Sequence, residues 1–482
     1  MTISNALSNA LSGLSAQGRM TEVVSSNLAN ALTDGYARRE LELSAQSIGG
    51  RGAGVKVLGV ERRLDPGILT ERRLADSELS NHTAMTEGLK RIEQVIGAAG
   101  TPGSLSDRVA RLEEALTDAA ADPASDSRLS MVQRRLGELA GTVNEAGADI
   151  QALRFDTDAQ IASRVDDLNT ALAQVERLNG DITRARSIGH DATGLMDQRQ
   201  VVVDRIAQIV PVRSILREGD RVALMTPSGQ MLLDGPAPEI GFTHVTAMVP
   251  EMTLASGGLS GLSINGEPIT APDGIGKLAG GSLSAAFAMR DETLVQVQAD
   301  LDSFAANLVA RFEQPSADAT LTPGDPGLFT DDGNPLDPLD TVGLAQRLSV
   351  NALVDPVAGG ALWRLRDGLG AGSQGPVGDA SQLLASRGAL VTLTPLTPGG
   401  SPSSLAGHAA AITSSIGARR VESEDEMAFA SARQTSLRDA EAARGVDTDH
   451  ELQMLMRIEQ AYAANAKVVQ TVDQLINLLM EL

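Results

Sequence analysis

The stretch that decides the fold is GVDTDHELQMLMRIEQAYAANAKVVQTVDQLINLLMEL, residues 445–482. Its apolar residues recur at alternating three- and four-residue steps, which predicts a helix with a coiled-coil seam over residues 448–480. Thr448 and Glu451 stand at capping-box spacing, which predicts where the helix begins. The predicted seam consists of Leu455, Ile458, Tyr462, Asn465, Val469, Val472, Ile476 and Leu479.

A second seam lies near the start of the sequence. Residues 3–32 favour a helix whose apolar residues also follow seven-residue spacing. Gly13 and Gly18 each weaken a helix by about 1 kcal/mol, so this helix is expected to need a partner. The two segments therefore predict a paired, coiled-coil-like inner domain. The seam residues of the first helix are Leu7, Leu14, Val24 and Leu28.

Two interpretations of this pair stay open. The helices either close an ordinary bundle within one monomer, or become ordered only when neighbouring subunits cover them. Leu452, Leu475, Leu478 and Met480 lie off the seam, so one partner helix would leave apolar surface uncovered. This surplus favours assembly with neighbouring copies.

The first helix is predicted to end within SSNLANALTDGY, residues 25–36. Gly35 accepts the left-handed conformation that ends a helix, and Tyr36 begins an extended segment. Asn27 and Asn30 are expected near this end, where they can satisfy polar groups of the backbone or of a neighbouring subunit. The alternative is that both are ordinary helix-end residues facing water.

The remaining sequence alternates between helical and strand-like patterns. Asp122-Pro123 predicts a break within the longest helical tract, because the residue before proline disfavours the helical conformation. The predicted segments are two strands around a Gly-rich turn from residue 36 to 60, helices over 68–98 and 104–210, a small β-rich region over 211–272, a helix over 282–313, a loop-rich insert over 314–407 and a helix over 408–443.

This order predicts a mainly α chain with a β-rich insert, folded as an elongated multidomain rod. The helical regions lie toward both ends of the sequence and the β-rich region lies between them. The predicted domains are a terminal coiled-coil assembly domain (1–35 with 444–482), an extended or β linker (36–85), a helical middle domain (86–210 with 280–315 and 408–443) and a β- and loop-rich outer domain (211–279 with 316–407).

The composition limits the function classes. The chain has 40 basic and 62 acidic residues and a net charge of −22, which argues against nucleic acid or an anionic membrane surface as partners. It has no cysteine, so disulfides, thiolate nucleophiles and cysteine metal sites are excluded. No apolar run reaches the roughly 18 residues of a membrane span, and the first residues lack the features of a cleaved signal peptide.

No motif for catalysis or metal binding is evident. The five histidines are scattered without metal-ligand spacing and are expected at the surface. An acidic cluster between Asp325 and Asp340 does not fit the spacing of a calcium loop, so a solvated loop is expected there. We therefore expect no enzyme, cofactor or metal. The alternative is a ligand-binding or enzymatic outer domain on a structural stem.

The stretch SSNLANALTDGYARRELEL resembles the N-terminal signature of the bacterial flagellar axial family, which comprises rod, hook and hook-associated proteins. Asp34 stands where that signature usually has proline. The stretch over residues 445–482 resembles the family's C-terminal helix. The residues that match the N-terminal signature are Asn27, Leu28, Ala29, Asn30, Thr33, Gly35, Tyr36 and Arg38.

The interior distinguishes between members of that family. The stretches SRLSMVQRRLGELAGTVN, LMDQRQVVVDRIAQIV and GGSLSAAFAMRDETLVQVQADLDSFAANLV resemble the helical middle of the hook-associated members found at the first hook–filament junction. The resemblance covers about two thirds of the chain. Residues 211–272 and 314–407 carry little of it.

The resemblance implies a structural adaptor at the hook–filament junction that forms a ring through its terminal helices. It implies export without a cleaved signal through the flagellar type III channel to the extracellular flagellum. The implied partners are identical subunits, the hook protein, the second hook–filament junction protein and an export chaperone on the C-terminal helix; no cofactor is implied. The alternative within the family is a hook or distal rod protein, which would be β-dominated between residues 86 and 210.

Overall fold

A computed structural model describes residues 3–48, 51–98, 100–397 and 399–480. These residues are mainly helical with small antiparallel sheets, so the predicted fold class is confirmed. The helices are α1 (Ile3–Ala29), α2 (Pro66–Ile96), α3 (Leu105–Ala121), α4 (Asp126–Ser187), α5 (Thr193–Ile209), α6 (Gly281–Ala288), α7 (Leu294–Phe312), α8 (Leu344–Arg347), α9 (Arg364–Asp367), α10 (Ser381–Val391), α11 (Leu405–Ala442) and α12 (Thr448–Met480). The strands are β1 (Arg39–Ile48), β2 (Arg51–Arg62), β3 (Arg213–Leu216), β4 (Val222–Met225), β5 (Met231–Leu233), β6 (Ile240–Gly241), β7 (Ser263–Ile264), β8 (Glu267–Pro268), β9 (Phe329–Asp331) and β10 (Leu348–Val350).

The helix α4 sets the length of the molecule. It has 62 residues, which at 1.5 Å per residue give about 93 Å. A compact globule of 482 residues would have a radius of gyration of only about 23 Å. The fold is therefore elongated. The predicted break at Asp122-Pro123 is confirmed, because it falls between α3 and α4.

Two apolar cores divide α4 between them. The first half of α4, with Leu136 and Ile150, packs against α3, α7 and α8. The second half, with Leu168 and Leu172, packs with α5, α6 and the small sheets that follow α5. Long helices with solvated outer faces thus build the middle of the molecule, as predicted.

The packing of the insert differs from the predicted domain division. Residues 211–272 form two three-stranded sheets, β3-β4-β5 and β6-β7-β8, which contribute to the second core. Residues 316–407, predicted to join them in one outer domain, instead contribute to the first core. The reason is that Leu383 and Leu390 of α10 pack with α3. The Pro- and Gly-rich composition around α10 concealed this helix in the sequence.

The hairpin β1–β2 and the pair α2–α11 connect the terminal helices to this body. The antiparallel hairpin contains register shifts at Glu42/Leu43 and Ala45/Ser47. Asp65 caps α2 by accepting hydrogen bonds from the backbone N–H groups of Gly67 (2.9 Å) and Ile68 (3.1 Å). Helix α2 then runs along α11 without interruption past residue 85. Neither a helix end nor a turn marks the predicted limit of the linker region at residue 85, and that domain boundary stays a prediction.

A buried ion pair joins α4 to the α6–α7 segment. Residues Met289–Thr293 form a π-helical turn between α6 and α7, and such turns displace side chains from the regular helical positions. Arg290 in this turn is fully buried and pairs with Asp158 of α4 at 2.6 Å. Its guanidinium also lies 4.9 Å from the ring centroid of Phe287.

Within the described ranges, no helix is long and apolar enough to cross a membrane.

Candidate assembly interface

The helices α1 and α12 pack against each other in antiparallel orientation. A Cβ atom on Gly13 would lie 2.9 Å from Asn465 Nδ2, so any larger residue there would have to push that amide aside. At the other end, Asn27 Nδ2 donates to Glu451 Oε2 at 3.2 Å. Gly13 and Asn27 are two heptads apart, and so are Glu451 and Asn465. A single heptad register therefore holds along the pair.

Asn27 is the polar centre of the pair and is 1% exposed. Its Nδ2 donates to the backbone oxygen of Arg39 (2.9 Å) and to Glu451. Its Oδ1 accepts from the backbone N–H of Arg39 (2.9 Å) and from the hydroxyl of Tyr36 (2.9 Å). Both amide protons and two acceptor positions are used. Asn27 thus ties α1, the start of β1 and the start of α12 together within one chain.

Glu451 receives a second partner at the start of α12. Arg38 Nε donates to Glu451 Oε1 at 2.7 Å, and the carboxylate is only 1% exposed. The predicted capping box is therefore wrong in detail, because the Glu451 side chain binds α1 and Arg38 instead of its own helix end. Asp447 caps α12, accepting hydrogen bonds from the backbone N–H groups of Asp449 (2.9 Å) and His450 (3.1 Å).

The turn after α1 has the predicted glycine geometry. Gly35 has a φ of +75°, and a side chain there would collide with Val201 of α5. Burial raises the pKa of Tyr36 above its ordinary value, so its hydroxyl stays a donor to Asn27. Asn30 differs from Asn27: its Nδ2 donates to the backbone oxygen of Ser26 at 2.9 Å, four residues back in its own turn.

The hairpin β1–β2 and the helix α12 pack on different flanks of α1. Ser12 Oγ accepts a hydrogen bond from the backbone N–H of Val55 at 3.2 Å. Gly54 lies so close to Ser12 that a side chain there would collide with it. Ala16 and Val23 are also buried and lie on the helical column that includes Asn9, whose Cα is also close to Gly54. The second flank of α1 is thereby covered within the chain.

Asp197 anchors the terminal region to α5. It accepts from Arg39 Nη2 (2.9 Å), from Arg62 Nε (2.9 Å) and from the backbone N–H of Ala37 (3.3 Å). Arg62 also donates to Gln200 at 2.9 Å. Burial lowers the pKa of Arg62, and the nearby Asp197 carboxylate opposes that shift. Both strands of the hairpin are thus fastened to one carboxylate.

A second ionic cluster lies beside this anchor. Arg72 of α2 contacts Asp76 (2.6 Å), Asp204 (2.7 Å) and Glu441 (2.7 Å) and is nearly buried. Arg73 pairs with the same Asp204 at 2.6 Å. Burial raises the pKa of Glu441, while Arg72 opposes the shift. The cluster joins α2, α5 and the end of α11 where the chain enters α12.

The structure places the predicted interface residues in three environments. Leu479 lies in α12, but its side chain falls outside the described part of the chain. The buried members are Val24, Asn27, Ile458 and Val472; the half-buried members are Leu7, Leu14, Asn30, Gly35, Tyr36, Leu455, Asn465 and Val469; the exposed members are Leu28, Tyr462 and Ile476.

Helix α12 retains apolar surface that α1 does not cover. Leu475 and Val468 are 45% and 42% exposed, and Leu478 is 59% exposed. Leu452, Met456 and Met480 are also exposed. The pair therefore forms within one chain and still leaves the surplus that the sequence indicated.

The sequence did not predict the interface role of three residues. Glu451 stands one heptad before Ile458, yet its charge concealed its position in the seam. From the sequence, Gly13 is only a weak point of the helix, whereas in the structure it permits the contact with Asn465. Asp197 belongs to a stretch noted for its resemblance, but nothing in the sequence indicated that it would bind the hairpin.

The histidine and the acidic side chains considered for metal binding or catalysis form local structural contacts. His408 is buried, with Nε2 at 2.7 Å from the backbone oxygen of Thr394, so the expectation of a surface position is wrong for this histidine. In the acidic cluster, Asp331 pairs with Arg347 at 2.8 Å. No group of three potential metal-ligating side chains is found in the part of the chain that the structure describes.

Comparison with known proteins identifies the family. The family model described as "Flagellar hook-associated protein FlgK helical domain" matches residues 89–329, which is half of the chain. The chain belongs to the FlgK family of flagellar hook-associated proteins. Models described as "Flagella basal body rod protein" and "Flagellar basal body rod FlgEFG protein C-terminal" match residues 7–36 and 442–482. These two segments contain most of α1 and all of α12, the helices of the candidate interface.

Curated relatives of the FlgK-family chain carry the name flagellar hook-associated protein 1. That of Bacillus subtilis is 23% identical over 98% of this chain and 96% of its own length. Those of Escherichia coli and Salmonella typhimurium are 29% and 30% identical over 48% of this chain, which spans 44% and 43% of their lengths. The flagellar hook junction protein FlgK from Burkholderia pseudomallei aligns with a TM-score of 0.44 and 21% identity, covering 55% of this chain and 46% of that structure.

The family membership makes this chain a structural, hook-associated component of the flagellum. It also decides between the members considered from the sequence. Residues 86–210 are helical, without a strand in the described part of that range, whereas a hook or distal rod protein was expected to be β-dominated there.

Proposed function

We propose that this chain is an adaptor at the hook–filament junction that assembles into a ring through the terminal helix pair, α1 and α12. The observation that carries the proposal is the apolar surface of α12 left uncovered by α1, with Val468, Leu475 and Leu478 each more than two fifths exposed. In a chain with a net charge of −22, an uncharged surface of this kind favours a specific contact.

The energetics favour assembly through several contacts at once. Burying the exposed half of one large apolar side chain contributes about 0.7–1.5 kcal/mol, so six such side chains contribute about 4–9 kcal/mol. Association costs about 4–15 kcal/mol in lost translational and rotational freedom. One contact between two copies is therefore weak, and a closed ring, in which every copy makes two contacts, is favoured.

The ionic anchors around Asp197 and Arg72 support a fixed placement of the body relative to the ring. They join the hairpin, α2, α5 and α11 next to the start of α12. In this proposal, residues 1–35 with 444–482 are the assembly domain. The remaining domains lie outside the ring and have no enzymatic role.

The proposed partners follow from the same surface and from the resemblance. Identical copies, the hook protein and the second hook–filament junction protein contact the terminal pair in the flagellum. An export chaperone binds α12 beforehand, since its exposed apolar side chains need cover during export through the type III channel. The proposed location is the extracellular flagellum at the hook–filament junction.

Deletion of residues 448–482 tests the proposal. The shortened chain keeps both apolar cores, so we expect it to be folded and exported, as measured by circular dichroism and by its amount in the culture medium. We expect filaments to be missing from cells that produce it in place of the full chain. Normal filament attachment would contradict the assembly role of α12.

A further inference from the structure

The heptad register divides the terminal pair into two flanks. Gly13 faces Asn465 and Asn27 faces Glu451, so these positions form the central column of the seam. On each helix, the residues three positions before and three positions after a central residue point to opposite flanks of the pair. In an antiparallel pair, the residues that precede the central position by three lie on the same flank in both helices. One flank of α1 carries the hairpin, through Ser12 and Val55. Among the described elements, only the hairpin packs extensively on α1 besides α12, and none packs extensively on α12 besides α1.

The first flank surface is the leucine face, on the side away from the hairpin. It combines leucines of α1 with the outer seam positions of α12. Leu11 and Tyr462 are each about half exposed. The leucine face consists of Leu7, Leu11, Leu14, Leu28, Tyr462 and Ile476.

The second flank surface is the valine face, on the hairpin side of α12. Its members repeat every seven residues, as a row that packs against another helix does. Val468 and Leu475 are the most exposed of the four. The valine face consists of Met454, Ala461, Val468 and Leu475.

The two faces carry opposite charges along their borders. Glu459 and Asp473 lie on the leucine side of α12, and Arg457 lies on the valine side. All three side chains are exposed, and none takes part in the ion pairs found between described residues. Arg457 and Glu459 are two residues apart on a helix, so they point to different sides and cannot pair with each other.

We propose that the leucine face of one copy binds the valine face of the next copy. This inference rests on the proposed assembly function and names the two surfaces that perform it. Contact between two leucine faces would place acidic borders together, and contact between two valine faces would place two Arg457 side chains together. Contact between a leucine face and a valine face instead brings Glu459 near Arg457 of the next copy. A contact between two different surfaces repeats from copy to copy and closes a ring or continues a helix, instead of stopping at a dimer.

The heights of the two faces agree with this arrangement. Because Gly13 faces Asn465 in antiparallel pairing, Leu11 lies at the height of residue 467. Val468 is one residue higher, a rise of about 1.5 Å. Copies that stand side by side and point the same way therefore bring Leu11 of one beside Val468 of the other.

Cross-linking of two full-length variants tests this contact. The chain contains no cysteine, so Leu11→Cys and Val468→Cys each introduce one reactive thiol. We mix the two purified variants and add a short bis-maleimide. We expect the mixed product to form at least fivefold faster than either same-variant product. Val377→Cys, exposed on the insert, replaces either variant as the control and is expected to give only the collisional rate.

A charge exchange supplies a second, independent readout. Glu459→Lys in both copies places two cations at the contact and is expected to reduce the mixed product about two- to fivefold, the range of an exposed charge pair. Arg457→Glu is expected to act in the same way. The double exchange Arg457→Glu with Glu459→Lys restores opposite charges between copies and is expected to return the yield to within twofold of the original.

Two outcomes overturn the inference. Faster formation of the Leu11→Cys homodimer would indicate a contact between identical faces. A mixed product at the Val377→Cys rate, or a double exchange as weak as the single ones, would exclude the pairing of these faces. If the deletion of 448–482 still abolishes filaments, only the assignment of faces fails. If filaments persist in the deletion as well, the proposed function fails.

Discussion

Replacing Asn27 with leucine removes every hydrogen bond of the terminal polar centre with little change in side-chain volume. The substitution leaves the backbone N–H and C=O of Arg39 without their partner, and it leaves the buried Glu451 carboxylate with Arg38 alone. Each unsatisfied buried group costs about 1–3 kcal/mol. Partial access of water reduces the sum, so we expect docking of α12 and β1 on α1 to weaken by about 2–4 kcal/mol.

Limited digestion with trypsin measures this local opening, because Arg38 and Arg39 lie in the affected segment. When opening and closing are fast relative to cleavage, the cleavage rate follows the population of the open form. A change of 2–4 kcal/mol then corresponds to a rate increase of roughly 30- to 800-fold, at 1.4 kcal/mol for each factor of ten.

Asn30→Leu is the matched control, since it lies in the same Asn-Leu-Ala-Asn motif. Its amide contacts only the backbone oxygen of Ser26 and the hydroxyl of Thr33 in its own turn, so we expect cleavage within about fivefold of the original rate, a difference of about 1 kcal/mol. Equal cleavage of the two variants, or an Asn27→Leu rate within threefold of the unmodified chain, would refute the role given to Asn27.

Further expected outcomes concern the helix contact, the anchor and pH. Gly13→Val is expected to push Asn465 away and to raise hydrogen exchange in α12, whereas Gly18→Ala, which has open space around its Cβ position, is expected to leave exchange unchanged or slower. Asp197→Asn removes the charge between Arg39 and Arg62 and is expected to lower the free energy of unfolding in urea by about 3 kcal/mol; Asp181→Asn, whose pair with Arg184 is exposed, is expected to change it by less than about 0.5 kcal/mol. Burial raises the pKa of Glu441 above its unfolded value, so the folded state holds a proton that the unfolded state releases; the stability of the unmodified chain relative to Glu441→Gln is expected to fall as pH rises from 4.5 through the raised pKa, and a constant difference in urea titrations would contradict this.

The sequence predicted what depends on periodicity and on turn chemistry. The helices at both ends, the break at Asp122-Pro123 and the positive φ of Gly35 all follow from spacing or from one residue's conformational preference. The helix α10 was not predicted, because its apolar side chains lie within a Pro- and Gly-rich segment and gain their burial from α3, which is distant in sequence.

The polar part of the candidate interface was harder to predict. The sequence motif indicates Asn27 but not its partners, since Arg39 is 12 residues away and Glu451 is 424 residues away. The same holds for Asp197, whose partners Arg39 and Arg62 come from another element. Hydrogen bonds between distant segments depend on tertiary geometry, which residue spacing along one segment does not encode.

The accessibility of Leu475 before and after assembly tests the central claim most directly. Leu475→Cys places one thiol at a position that is 45% exposed in the single chain. We expect a maleimide to label it fully in the purified monomer and to label it at least tenfold more slowly in isolated flagella, while Val377→Cys is labelled equally in both. Equal labelling of Leu475→Cys in monomer and flagella would show that no neighbouring subunit covers this surface and would contradict the account.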